Sequence, residues 1–293
     1  MQLSTVSLYA EEMMRLSDSN TLAEALSECL DGFENEDAYR ISAEVMRRRE
    51  RSGWRRVGRK IGFTNRSIYE QYKVDQPMFG YMWDRTVTDA AAPDGVYTGE
   101  APSLTYRLDD DNMKGTLSLA GLSQPLIEPE IVFGLKETPK LGDPIHEILE
   151  CIDWIGHGFE IVQCHFPGWR FNIADCIADG GLHGRYIIGP RFEITRGNEA
   201  ELVEKLAMFD IELSCNGEPI RTGGGRLVLG SPLEALNYLM QVLAELPDHP
   251  PLQPGEIITT GTLTDAMPVQ PGQTWSTRIE GLPPLEGFEI TLT

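Results

Sequence analysis

Apolar residues change their spacing once along this chain. In the first 56 residues they recur at helical intervals. Leu22, Leu26 and Leu30 fall on one stripe, Asn20 is a candidate N-cap ahead of them and Gly32 a candidate stop, which predicts a helix over 21–30. A second helix is predicted from about Glu36 to Arg51. From Val57 onward, short apolar runs alternate with Gly, Pro, Asp and Asn, as in Gly115–Ala120, Pro125–Leu135, Arg185–Ile188, Ile211–Cys215, Glu256–Thr260 and Phe288–Leu292. Such punctuation predicts many strands. Asn216-Gly217, between Ile211–Cys215 and Glu218–Ile220, is a hairpin signal. Helices are expected near Pro144–Cys151 and from Ser231-Pro-Leu-Glu234 to about Leu246, the latter opening with a capping-box pattern and Pro at its first position. The chain therefore divides into a mostly helical part, residues 1–88, and a β-rich part, residues 89–293.

Composition narrows the class of protein. The chain has 293 residues, 41% hydrophobic and 24% charged, within the range of a folded globular protein. With 25 Lys plus Arg against 45 Asp plus Glu, the formal charge is −20, which disfavours nucleic acid or an anionic membrane as partner. Ten of the 25 cationic residues lie between Arg40 and Arg66. They are either an anion-attracting patch or, the plainer reading, a solvated basic face beside the acidic stretch Glu24–Asp37. The five cysteines are scattered and odd in number, and so read as reduced core thiols. No signal-peptide pattern opens the chain and no run of about eighteen apolar residues occurs, so a cytoplasmic protein is expected.

Candidate chemistry concentrates in a few segments. If Leu126-Ile-Glu-Pro-Glu-Ile-Val-Phe-Gly134 is a strand, Glu128 and Glu130 share one face while Ile127, Ile131 and Phe133 share the other. Paired carboxylates repel unless solvent or a cation compensates them, and all-oxygen ligation suits a hard ion such as Mg²⁺ or Mn²⁺. Glu160 lies in an apolar run with Trp154, Ile155, Phe159, Ile161 and Val162, where an unpartnered acid is expensive. Lys60, in the glycine-rich stretch Val57–Phe63, could become a proton carrier with a lowered pKa if desolvated, or simply snorkel at a strand end. In Thr259-Thr-Gly-Thr-Leu-Thr264, Gly261 would let backbone N–H groups approach a ligand and Thr262 offers a hydroxyl. There is no P-loop, G-x-S-x-G or H-E-x-x-H, and the five histidines lack metal-ligand spacing. His165 and His183 could reach a site, although a structural role is the simpler reading of each.

Seven segments occur together in order: Lys60-Ile-Gly-Phe-Thr64, Val74-Asp-Gln-Pro77, Ile127-Glu-Pro-Glu-Ile131, Phe159-Glu-Ile-Val162, Ala174-Asp-Cys-Ile-Ala-Asp179, Val228–Leu233 and Thr260–Thr264. In this combination the chain resembles the 2-keto-4-pentenoate hydratase and 4-oxalocrotonate decarboxylase branch of the fumarylacetoacetase superfamily, from about Val57 to the C-terminus. The resemblance implies a mixed α/β (α+β) fold, a rolled β-sheet core like the fumarylacetoacetase C-terminal domain with an N-terminal helical portion. It implies an Mg²⁺ or Mn²⁺ ion held by Glu128, Glu130 and Glu160, a catalytic Lys60, and substrate contacts at Ile61, Asp179, His183, Gly261 and Thr262. The expected activity is a metal-dependent hydratase of a 2-hydroxy-2,4-dienoate or 2-oxo-enoate, as in the meta-cleavage degradation of aromatic compounds. The alternatives are a 2-oxo-enedioate decarboxylase, another C–C bond-cleaving enzyme of the superfamily, or a non-catalytic partner subunit. A small 2-oxo acid is the expected ligand and a homo-oligomer the expected assembly, with pairing to a related hydratase or decarboxylase in view. Two departures bear on the substrate tail: Met78 stands where many hydratases have Asp, and Gly180-Gly-Leu-His183 replaces a small polar stretch.

Overall fold

The computed structural model describes residues 1–90, 114–194, 197 and 199–293. Its helices are α1 (Leu3–Ser19), α2 (Leu26–Cys29), α3 (Asn35–Arg51), α4 (Tyr69–Tyr72), α5 (Ile145–Glu150), α6 (Ile173–Ala178), α7 (Glu199–Met208) and α8 (Pro232–Glu245). The strands are β1 (Arg56–Gly62), β2 (Met78–Trp83), β3 (Val87–Asp89), β4 (Lys114–Leu117), β5 (Leu126–Leu135), β6 (Ile152–Val162), β7 (His183–Glu193), β8 (Asp210–Cys215), β9 (Glu218–Gly224), β10 (Ile257–Thr262), β11 (Met267–Pro268), β12 (Thr274–Glu280) and β13 (Glu289–Leu292).

The helix expected over 21–30 forms elsewhere. Asn20 ends α1 rather than starting a helix, with φ 52° and ψ 44° and its N–H donating to Leu16 O. Asparagine tolerates this left-handed conformation better than most residues, so it serves as a C-terminal stop. The next segment is drawn into tertiary contact, Ala23 N–H donating to His165 O, and only Leu26–Cys29 turns helical. The helix expected at Glu36–Arg51 is α3, and Asn216 and Gly217 turn β8 into β9 with φ 51° and 83°. Ser231 caps α8 by accepting the Leu233 N–H, and Pro232 takes the first helical position. By length and composition the Gly225–Glu245 stretch could span a bilayer, but α8 buries Leu233, Leu236, Leu239 and Leu243 in the main core.

Eight strands form one mixed sheet in the order β2-β1-β10-β5-β6-β7-β3, with β11 added on β5; β4-β13-β12-β8-β9 form a second sheet. Val57, Met82, Val87, Val132, Trp154, Tyr186 and Ile257 meet in one apolar cluster although their strands run from one edge of the large sheet to the other. That is possible only if the sheet curls. Its outer face carries Ile127, Phe159 and Ile161 against Trp275 and Ile290 of the second sheet, and Ile61, Ile131 and Phe133 against the helices. Helix α3 packs against both α1 and α6. Asp175 both completes a capping box with Asn172 and accepts from Ser27 N–H and Oγ at 2.9 and 2.6 Å, tying the N-terminal helices to the β-rich part. The basic stretch is largely ion-paired: Arg48 with Glu44, Arg49 with Asp18, Arg56 with Glu50 and Arg59 with Glu256.

Candidate active site

Register alone assembles the acidic cluster. Strands β5 and β6 are antiparallel with Glu128 directly opposite Glu160, and Glu130 opposite Gly158. Gly158 has to be small here, since a Cβ on it would lie 2.3 Å from the Tyr186 hydroxyl. One oxygen from each of Glu128, Glu130 and Glu160 lies within 4.8 Å of the others. Lys60 arrives on β1, separated from β5 only by β10, and its Nζ is 3.2 Å from Glu160 Oε2. Seventy residues of sequence separation are thus closed by a two-strand step across the sheet. Lys60 is 2% exposed and Glu130 and Glu160 are 0% exposed, while Glu128 is partly open to a cavity.

Burial and charge oppose one another at each group. Burial pushes the Glu128 carboxyl up to about 7 despite Lys60, and Glu130 lies well above the usual carboxylate range through burial and the Glu160 charge. For Glu160 burial is overcome by Lys60 and by His183, whose Nδ1 is 2.7 Å from Glu160 Oε1, and its pKa falls below the ordinary value. Burial also disfavours the Lys60 ammonium, but Glu160, Glu128 and Glu130 together outweigh it and raise its pKa. The lowered pKa expected for Lys60 from desolvation is therefore reversed in this structure by the carboxylates around it.

The donor set fits a hard divalent ion. Buried oxygens without a hydrogen-bond partner gather here: Glu130 Oε1 and the hydroxyls of Thr259 and Tyr186, beside Glu160 Oε2, whose neighbour is the Lys60 ammonium. Orphaned polar atoms at such density are unusual in a protein interior and mark a place where something polar binds. Three carboxylates against one ammonium leave a formal −2, which a divalent cation would cancel, and oxygen-only ligation suits Mg²⁺ or Mn²⁺.

Lys60 and Glu128 open onto a cavity of about 230 Å³ whose wall also includes Thr262, Met78 and Leu182. Gly261 approaches the cluster through its backbone, its N–H donating to Glu130 Oε2 at 3.1 Å; its φ is 99° and a Cβ would lie 2.0 Å from Thr64 Oγ1. Ile61 points its side chain into the core on the far face of β1. Asp179 and His183 line a second cavity, of about 300 Å³. There Asp179 binds His165 Nδ1 at 2.6 Å, while His183 bridges Glu160 and Thr86 Oγ1. Sequence reasoning passed over the aromatic wall of the first cavity, formed by Phe63, Tyr72, Trp169 and Phe171, and the Arg221–Asp265 pair beside it. The aromatic density of Phe166-Pro-Gly-Trp-Arg-Phe171, between two strands, was the available signal.

The chain is similar to several known proteins. The chain is 33% identical over 248 residues to a 2-hydroxyhexa-2,4-dienoate hydratase of Comamonas testosteroni, covering 84% of this chain and 83% of that one. It is 30% identical over 249 residues to a 4-oxalocrotonate decarboxylase of Pseudomonas putida, covering 84% and 82%. Its fold matches the structure of 4-oxalocrotonate decarboxylase from Pseudomonas putida G7, complexed with magnesium and adipate, with a TM-score of 0.82, 24% identity, and coverage of 100% of this chain and 99% of the other. Residues 120–288, which contain all three glutamates, match the family described as fumarylacetoacetate (FAA) hydrolase C-terminal. With more than half its length inside that match and its rolled sheet shared with a solved relative, this chain belongs to the fumarylacetoacetate hydrolase family.

Proposed function

We propose that this protein is a divalent-metal-dependent hydratase that adds water to a 2-hydroxy-2,4-dienoate through its 2-oxo-enoate form. The observation that carries the reading is the convergence of Lys60 with Glu128, Glu130 and Glu160, of which Lys60 and Glu128 open onto one small cavity. Relatives named as hydratases at 32–33% identity over 84% of the chain support the reaction class. Glu128, Glu130 and Glu160 would hold Mg²⁺ or Mn²⁺, with Glu160 fixed in orientation by His183 and Glu130 by the Gly261 N–H. When bound, the ion supplies electrostatic stabilisation to negative charge developing on the 2-oxo acid.

Lys60 supplies the proton. Its ammonium is favoured by three carboxylates, so it enters the cycle as an acid and delivers a proton to the far carbon of the dienol while the enol O–H gives up its proton to the site, leaving the conjugated 2-oxo-enoate with no net change in protons. Water then adds at the carbon β to the ketone, one of its protons returning to the site and a proton reaching the α carbon. Phe63, Tyr72, Trp169 and Phe171 wall the cavity onto which the reacting end opens. The test is loss of dienol absorbance from 2-hydroxypenta-2,4-dienoate with purified protein and Mg²⁺, with CO₂ measured in parallel from a 2-oxo-enedioate. Absence of dienol consumption, or consumption that survives exhaustive chelation, refutes the reading.

A further inference from the structure

We propose that the aromatic wall of the cavity onto which Lys60 opens is a subsite for an uncharged, apolar substrate tail, so that the preferred substrates are dienoates and 2-oxo acids extended by alkyl or aryl groups rather than by a second carboxylate. The inference rests on the 2-oxo acid reading above and narrows its substrate class. Tyr72 and Phe171 stack at 5.9 Å with planes 5° apart, and Phe63 and Trp169 meet Phe171 at 6.2 Å and steep angles. All four rings line the cavity that Lys60 and Glu128 open onto. Phe63 and Trp169 both hold the left-handed backbone region, with φ 56° and 57°, and Leu182 on the same wall has φ 61°. Bulky residues seldom adopt it, and such outliers persist where the surrounding fold imposes them, often at ligand sites.

Met78 brings the apolar surface up to the reacting end. A Cβ built on Gly62 would lie 2.5 Å from Met78 Cε and 3.3 Å from Lys60 Nζ, so the thioether and the ammonium flank the same glycine.

Charge on this wall is balanced. Among the described residues lining the cavity, the cations are Lys60 and Arg221. Lys60 faces Glu160, and Arg221 Nε lies 3.3 Å from Asp265 Oδ2 at the solvent side, both side chains being about half exposed. A carboxylate tail entering here would leave water to meet ring faces, whose quadrupoles are negative, and an arginine already offset by an acid. An apolar tail faces neither cost and gains about threefold to fourfold in affinity for each methylene it buries.

The test separates tail recognition from turnover. Calorimetric titration of the Mg²⁺-loaded protein with 2-oxohexanoate, 2-oxo-4-phenylbutanoate and 2-oxoadipate compares butyl, phenylethyl and carboxylate tails on one non-reacting head group. The apolar pair is expected to bind at least about tenfold tighter than 2-oxoadipate, the scale on which a mismatched pocket discriminates. Phe171→Leu should narrow that ratio by weakening the phenyl compound most, and Asp265→Asn should narrow it by releasing Arg221 to the carboxylate. Equal or tighter binding of 2-oxoadipate by the wild type overturns the proposal, as does a Phe171→Leu effect equal across all three. Correct binding order without consumption of any dienoate would leave the tail subsite standing and refute the hydratase reading; no binding by any of the three refutes both.

Discussion

Replacing Lys60 with methionine keeps a long side chain and removes one charge from a buried cluster. In the wild type the ammonium is 3.2 Å from Glu160, and both groups are essentially unexposed. Removing one member of such a buried pair costs about 3–5 kcal/mol, because the remaining charge is left unpaired. The variant has one escape, protonation of Glu160. From the ordinary glutamate value of 4.5, that costs about 5 kcal/mol at pH 8 but only about 2 kcal/mol at pH 6. The penalty for Lys60→Met is therefore expected near 3–5 kcal/mol at pH 8 and no more than about 2 kcal/mol at pH 6. Titration of Lys60 itself does not blur the comparison. Its pKa is raised above 10.5, so its contribution is complete throughout this range and is lost only in more alkaline solution. Urea denaturation in chelator at the two pH values measures the difference. Adding Mg²⁺ to 100 times its Kd should return about 2.7 kcal/mol to either protein. A variant as stable as wild type at pH 8, or a penalty that does not shrink at pH 6, refutes the account of Lys60 as the counter-charge of the cluster.

Other perturbations reach other parts of the site. Lys60→Ala should lower kcat by about 10²–10⁴, and Lys60→Arg should not restore it, because a guanidinium does not give up its proton; pH–rate profiles of both variants decide. Glu128→Gln, Glu130→Gln and Glu160→Gln should each weaken calorimetric Mg²⁺ binding and reduce turnover by removing a ligand oxygen. The first two should leave stability in chelator nearly unchanged, because burial already favours their neutral forms, whereas Glu160→Gln should lower it by unpairing Lys60. Gly261→Ala, with φ at 99° and Thr64 in the way, should cost both stability and Mg²⁺ affinity by disturbing the N–H that holds Glu130, which melting curves with and without Mg²⁺ report. His249 is buried between Tyr81 and the Tyr39 carbonyl, and burial lowers its pKa from 6.5 to about 4. A depressed histidine stabilises fully above pH 6.5, and that stability is lost as pH falls toward 4, by roughly 3 kcal/mol. His249→Gln should flatten the acid limb of the stability curve over that interval.

The elements that carry chemistry were legible because their constraints are local. Glu128 and Glu130 alternate with Ile127 and Ile131, so a single strand assignment settles which face each occupies. Asn216-Gly217 needs positive φ twice and announces its turn. Asn20 misled because an asparagine can begin a helix with its side chain or end one with its backbone, and only the partner reaching Ala23 from His165 decides which. The aromatic wall was illegible for a related reason. Phe63, Tyr72, Trp169 and Phe171 come from two loop regions about a hundred residues apart, and no periodicity links them. The raised pKa of Lys60 likewise depends on three acids that the curl of the sheet delivers, so desolvation alone gave the wrong direction.

The opposition of Glu128 to Glu160 explains why the site is tied to this fold. Like charges directly across an antiparallel pair repel, and a strand could relieve them by slipping one residue. Here a slip of β5 would turn Glu128 toward the second sheet and Ile127 onto the inner face, and a slip of β6 would do the same to Glu160 with Phe159 and Ile161. The apolar outer face therefore holds the register against the repulsion on the inner face. The glutamates also sit on central strands of the sheet, where neighbouring strands on both sides fix their backbones, rather than on loops that could splay apart. Relief then has to come from charge: from Lys60 on a strand two steps away, from His183 behind Glu160, and from a cation of matching size. The same rigidity that holds the acids close against their repulsion keeps their oxygens in place, so binding a cation requires little ordering of the chain.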